Sequence, residues 1–199
     1  MLPDRIILAD VSAALTDAWS EVFAQYDHVQ VHCGDFFSID ADAMVSPANS
    51  FGIMDGGLDA AIRDALGGQV LSRVQEVVLD RHHGEIHVGL AEIVPTDHPR
   101  WPYLVVAPTM RIPENVAHTL NAYLAFRAVL LTVVRYNRVR ANERIRTVLV
   151  PGLATGVGGM DARRCAAQMR IAFDQVSSPA RIPSFSMIHE VHHKMRSAI

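Results

Sequence analysis

The run Asp42-Ala43-Met44-Val45-Ser46-Pro47-Ala48-Asn49-Ser50-Phe51-Gly52-Ile53-Met54-Asp55-Gly56-Gly57-Leu58-Asp59 constrains this chain more than any other. An apolar strand enters a glycine-bearing loop that ends on an aspartate opening a helix, with Ala61, Ile62, Ala65 and Leu66 at helical spacing. Strand, loop and helix in that order present main-chain N–H groups and a positive helix end together, an arrangement suited to an anion. A second stretch of this kind, Pro151-Gly152-Leu153-Ala154-Thr155-Gly156-Val157-Gly158-Gly159, lies between a buried strand at Thr147 to Val150 and a helix starting at Asp161. Either one alone is a short glycine-rich run that a plain tight turn would also explain.

The rest of the chain alternates strands and helices. Ile6-Ile7-Leu8 reads as a buried strand, after which Asp10 or Ser12 can cap a helix. Leu15, Ala18, Trp19, Val22, Phe23 and Tyr26 give that helix one apolar face. A short strand follows at His28 to Cys33, and helices are expected from Asp59 to Leu66 and from Val70 to about Arg81, split by Gly67-Gly68. Strands at Gly89 to Val94 and Tyr103 to Ala107 are separated by the turn-rich Pro95-Thr96-Asp97-His98-Pro99. A long helix from Asn115 is expected to point Val116, Leu120, Leu124, Leu131 and Val134 inward, and the helix after Asp161 to bury Cys165, Met169, Ala172, Phe173 and Val176. This order predicts an α/β protein: a three-layer α/β/α sandwich with a mixed central sheet.

Composition narrows the function. A net charge of −3 and a pI near 6.3 argue against a general nucleic-acid binder. Cys33 and Cys165 offer neither a disulfide framework nor metal-type spacing, and both read as reduced thiols in or near the core. The aliphatic run from Ala128 to Val134 is far below the roughly 20 residues that cross a bilayer, and Met1 to Arg5 does not resemble a signal peptide, so a soluble cytoplasmic protein with no membrane partner is expected.

Pro-Ala-Asn-Ser, the loop ending Gly-Gly-Leu-Asp and the distant glycine loop together resemble the two ligand loops of the macro domain family, whose members bind ADP-ribose and often hydrolyse its derivatives. The likeness spans roughly residues 34 to 176. Residues 1–178 are accordingly expected to form one macro-like domain, and Pro179 and Pro183 set off 179–199 as a tail holding a short helix from Ser184. The resemblance also implies roles for particular residues. Asp35 would accept from the adenine amino group, beside Phe36; Asn49 would hold the distal ribose; Gly56, Gly57 and Leu58 would contact the ligand. The second loop would contribute Thr155, Gly156, Val157, Gly158, Gly159 and Met160. Asp59, ten residues after Asn49, would orient or activate water, making Asp59 and Asn49 the expected catalytic pair.

Each has a plainer reading: Asp35 as a turn aspartate, Asn49 as a turn asparagine, Asp59 as a helix N-terminal acid worth ~0.3–1 kcal/mol. Asp55 carries no implied role and is read either as tuning substrate choice or as a plain exposed residue. The sequence also departs from the family pattern. Ser46 stands where many hydrolases of the family have a second asparagine, and Gly158 and Met160 stand where bulky or aromatic residues are common.

The resemblance thus implies an ADP-ribosyl hydrolase acting on an ester-linked adduct, with ADP-ribose or an ADP-ribosylated substrate as partner and neither metal nor cofactor. A nucleic acid enters only as a modified acceptor. The alternative is a reader that binds ADP-ribose without turning it over. His189-Glu190-Val191-His192-His193 satisfies H-E-x-x-H and raises a zinc peptidase, but no third ligand follows it, and a partly exposed helix is the plainer account. The arginines Arg135, Arg138, Arg140, Arg144 and Arg146 read as a solvated helix end.

Overall fold

Residues 1–197 are described by a computed structural model. Its six-stranded sheet has β1 (Arg5–Asp10), β2 (Val29–Cys33), β3 (Ala43–Ser46), β4 (Glu92–His98), β5 (Trp101–Val106) and β6 (Thr147–Val150) in the order β2-β1-β6-β3-β5-β4. All neighbouring pairs are parallel except β4 with β5, so the sheet is mixed. Parallel strands covered on both faces must be apolar on both faces. In β1, accordingly, Ile6 and Leu8 join one core and Ile7 and Ala9 the other.

The first face is covered by α1 (Ala13–Phe23), α4 (Asn121–Val139) and α5 (Ala162–Ser177), through Trp19, Phe126, Met169 and Phe173 among others. The second is covered by α2 (Gly57–Leu66) and α3 (Gln69–His82), through Ile62, Leu66, Val70, Val74 and Val78. The three-layer α/β/α sandwich expected from the alternation is the observed architecture. A last helix, α6 (Phe185–Ser197), packs on α5, where Gln168 Nε2 donates to Met195 O at 3.2 Å. The expected tail helix from Ser184 to the end extends over residues 198 and 199, which lie outside the described residues. Among those described, no helix is long and apolar enough to cross a membrane.

Several local expectations are corrected. Pro95 to His98 is not a turn but the second half of β4; as an edge strand, β4 tolerates a proline that cannot donate, and its register shifts between Pro95 and His98. Asp97 takes the left-handed conformation there (φ 61°) and is paired with Arg73. The long helix begins at Asn121, six residues later than expected, because Thr119 Oγ1 accepts from the Asn121 N–H and Val116 is tied to the second glycine loop. Its buried side is Ala122, Ala125, Phe126, Val129, Leu130 and Val133, while Leu124, Leu131 and Val134 are half-buried. Cys33 is exposed at the end of an edge strand; only Cys165 is a core thiol.

Candidate functional site

The carboxyl ends of parallel strands gather loops at one edge of a sheet, and a crevice opens where successive helices leave to opposite faces. Here that point lies between β3, whose following helix α2 covers the second face, and β6, whose following helix α5 covers the first. A cleft of about 580 Å³ lies at this edge. Asn49, Asp55, Gly56, Gly57, Leu58 and Asp59 line it from one side, Thr155, Gly156, Val157, Gly158 and Met160 from the other. The two glycine stretches, about a hundred residues apart in the chain, therefore meet.

The loop after β3 is held by the loop after β5. Thr109 N–H donates to Ala48 O (3.0 Å), Ser50 N–H to Arg111 O (3.1 Å), and the Arg111 guanidinium to both Glu85 oxygens (2.8 and 3.1 Å). Asn49 shapes its own turn: Nδ2 donates to Ile53 O (2.7 Å), and Oδ1 accepts from the N–H groups of Phe51 (3.0 Å) and Ile53 (3.3 Å). Its amide thus serves the loop while the residue also faces the cleft. The helix beyond starts at Gly57, so Asp59 is the third helical residue rather than the opener. The first N–H groups of a helix have no carbonyl to bond within it, and here the N-cap is Gly56, which has no side chain to satisfy them.

The second loop is a tight ring. Met160 N–H donates to Ala154 O (2.9 Å) and Gly159 N–H to Gly156 O (3.0 Å), with Ala154 in the left-handed region at φ 64°. Such a conformation is unfavourable for a residue with a Cβ, by about 1–2 kcal/mol. The N–H groups of Thr155, Gly156, Val157 and Gly158 donate to no described residue, so four successive main-chain donors remain on the cleft wall. Gly158 is not a lost side chain with a space left behind. A Cβ there would stand 2.5 Å from Ala154 O and 2.7 Å from Val116 Cγ2, and Val116 N–H donates to Gly158 O at 2.9 Å. Gly158→Ala is therefore expected to lower stability by about 1–3 kcal/mol, read as a fall in the denaturation midpoint. An unchanged midpoint would mean that this ring is not closed as described.

No lysine, arginine or histidine is among the residues lining the cleft; its titratable groups are Asp10, Asp55 and Asp59. A diphosphate would thus be held by neutral amides. Asp59 is half-buried, and Ser46 Oγ donates to its Oδ1 at 2.5 Å. Burial pushes the Asp59 carboxyl up from 3.8 to about 6; the Ser46 hydrogen bond pulls the other way, and the Asp55 carboxylate adds to the rise. Such a group changes charge close to neutrality, as a general base must.

Three expected site residues fall outside the residues lining the cleft. Asp35 follows β2 at the same sheet edge, but its Oδ1 accepts from Phe37 N–H (2.9 Å) to cap a short 3-10 turn. Phe36 is buried in the second core, edge-on to Phe37. Gly159 (φ 65°) faces Asn115, a Cβ there standing 3.1 Å from Asn115 Nδ2. Conversely, Asp10, Ser12, Leu15, Thr109, Met110 and Pro113 line the cleft unforeseen. Asp10 does not cap α1, nor does the Ser12 side chain: Asp10 Oδ1 accepts from Ser12 N–H (2.9 Å) and Oδ2 from Gly152 N–H (3.2 Å), tying the end of β1 to the second loop. Only the adjacency of β1 and β6 could have shown this. In the tail, the His189 and His193 rings lie 5.4 Å apart, and Glu190 is paired with Lys194 at 2.6 Å.

A family model described as Macro domain matches residues 45–169. The chain is 33% identical over 132 residues to an uncharacterized protein of Aquifex aeolicus, covering 66% of this chain and 72% of that one. Its fold is similar to the Oceanobacillus iheyensis macrodomain with ADP, at 19% identity and a TM-score of 0.58 over 73% of each chain. It is similar as well to Thermosipho africanus DarTG in complex with ADP-ribose, at 14% identity and a TM-score of 0.58, over 88% of this chain and 54% of that one.

Proposed function

Since the chain belongs to the macro domain family, we propose that its cleft binds ADP-ribose or a derivative and hydrolyses an ester-linked ADP-ribose adduct, on a modified protein carboxylate or as an acyl-ADP-ribose. The observation that carries this reading is the position of Asp59: a carboxylate with its pKa near 6, in one cleft with two sets of main-chain donors that are unpaired among the described residues. The first-turn amides of α2 and the ring from Thr155 to Gly158 hold the diphosphate. Asn49 faces the distal ribose.

Water attacks the anomeric carbon of that ribose, the bond from this carbon to the ester oxygen breaks, and the leaving carboxylate takes the electron pair. Asp59 accepts the proton that the water loses and passes it to solvent. General base assistance of this kind is worth about 10²–10⁴-fold. The relatives solved with ADP and with ADP-ribose support the choice of ligand.

Calorimetric titration tests the binding half. ADP-ribose is expected to bind at least about tenfold more tightly than AMP or NAD, because AMP lacks the diphosphate and NAD carries nicotinamide where the cleft meets the free ribose. Equal affinity for AMP would reduce the site to a generic nucleotide pocket.

One observation favours a second reading, a binding module without turnover: the Asn49 amide is engaged by its own loop rather than left for a ribose. Calorimetric binding with no product from an ester-linked substrate selects it.

A further inference from the structure

Ser46 is the last residue of β3, paired with Val106 of β5 and 1% exposed. Its hydroxyl bonds across the gap between sheet and helix, from the end of β3 to Asp59 in the first turn of α2. Asp59 Oδ1 accepts that bond at 2.5 Å, and Asp59 Oδ2 accepts none from any described residue. A hydroxyl on a buried strand of the sheet interior is a donor held at a fixed place, and a charge-assisted bond to one carboxylate oxygen favours the side-chain rotamer that reaches it.

We propose that Ser46 is the positioning residue for Asp59: it clamps Oδ1 to the sheet and leaves Oδ2 as the oxygen offered to a water in the cleft. This rests on the hydrolase reading above for its catalytic meaning, though the coupling of the two side chains does not.

The surroundings leave this task to Ser46. Asp55 is a like charge that opposes ionisation of Asp59. Asp10, the remaining titratable group on the cleft wall, has its oxygens occupied by the N–H groups of Ser12 and Gly152. Arg63, one turn further along α2, donates to Met54 O (2.7 Å) and pairs with Asp64 (2.7 Å) instead of Asp59. The serine also gives the family departure at this position a role. An asparagine would present a longer amide; the short hydroxyl holds the carboxylate close to the end of β3.

The test compares the parent protein with Ser46→Ala and Ser46→Thr, the latter keeping the hydroxyl. Two readouts are followed against pH: the NMR carbon resonance of the Asp59 carboxyl, and kcat on ester-linked ADP-ribose. In Ser46→Ala the carboxyl inflection is expected to move upward by about one pH unit, since a hydrogen bond to the charged form is lost. The kcat is expected to fall about tenfold, with KM changed less than about threefold. Ser46→Thr is expected to restore both. An Asp59 inflection that stays in place in Ser46→Ala overturns the proposal, whatever happens to turnover. If the parent turns nothing over while the inflection still moves, the hydrolase reading falls and the coupling stands. Should Ser46→Ala not fold, Ser46→Cys, with a much weaker donor, carries the same comparison under the same criterion.

Discussion

Asp59→Ala is expected to lower turnover of ester-linked ADP-ribose by about 100-fold or more, while ADP-ribose affinity stays within about threefold of the parent. The carboxylate belongs to the reacting end of the proposed complex, whereas the diphosphate is held by main-chain donors that this substitution leaves in place. Full turnover by the variant would remove Asp59 from the mechanism. The pH dependence has a definite sign. The carboxylate is the active form and its pKa is near 6 rather than 3.8, so turnover by the parent should climb as pH rises through about 6 and then level off.

Stability moves the other way. A carboxyl that holds its proton more tightly when folded than when unfolded is a liability once ionised, so its contribution to stability falls between pH 3.8 and about 6. Asp59→Asn should therefore be more stable than the parent at pH 7–8, by on the order of 1–2 kcal/mol after allowing for the solvent that still reaches this partly buried site. At pH 4 it should gain little. Loss of activity with gain of stability distinguishes a working group from a plain helix-end acid, whose removal would be destabilising.

Gly156→Val is expected to weaken ADP-ribose binding by about 100-fold without lowering the melting temperature. The backbone at Gly156 is not in the left-handed region, and a Cβ there meets nothing within 4 Å, so the fold accommodates a side chain. Gly156 lines the cleft, beside the N–H groups of Thr155, Gly156, Val157 and Gly158, which donate to no described residue. A branched side chain there keeps phosphate oxygens away from these donors, and losing two charge-assisted hydrogen bonds at about 1.5 kcal/mol each amounts to that factor. Calorimetry beside thermal denaturation checks both halves. Undiminished affinity would place the diphosphate elsewhere. The contrast with Gly158→Ala is informative: neighbouring glycines of one loop, one kept open for a ligand and the other closed by its own backbone.

The layers were legible because parallel strands covered on both faces must be apolar throughout. Ile6-Ile7-Leu8 and Thr147 to Val150 are such runs, and α1 shows the apolar stripe of a helix on a sheet. The edge was not. Pro95 and Asp97 carry every mark of a turn, and only the open outer side of β4 lets them lie in a strand. α4 starts later than its own spacing suggests because residues 115–120 obey a tertiary tie, Val116 to Gly158. At the cleft, glycines announced the two loops. The clamp of Ser46 on Asp59, the Asp10 bridge and the wall from Thr109 to Pro113 depend on which strands lie side by side, which composition does not encode.

Five of the six strands run the same way, so the molecule has two unlike poles. The mouth opens where those strands finish, and Arg5, the first residue of β1, sits a strand's length away, about 20 Å. A fluorophore, resin or fusion partner attached ahead of residue 1 therefore departs from the far pole, and the entrance stays free for something as large as a modified polypeptide.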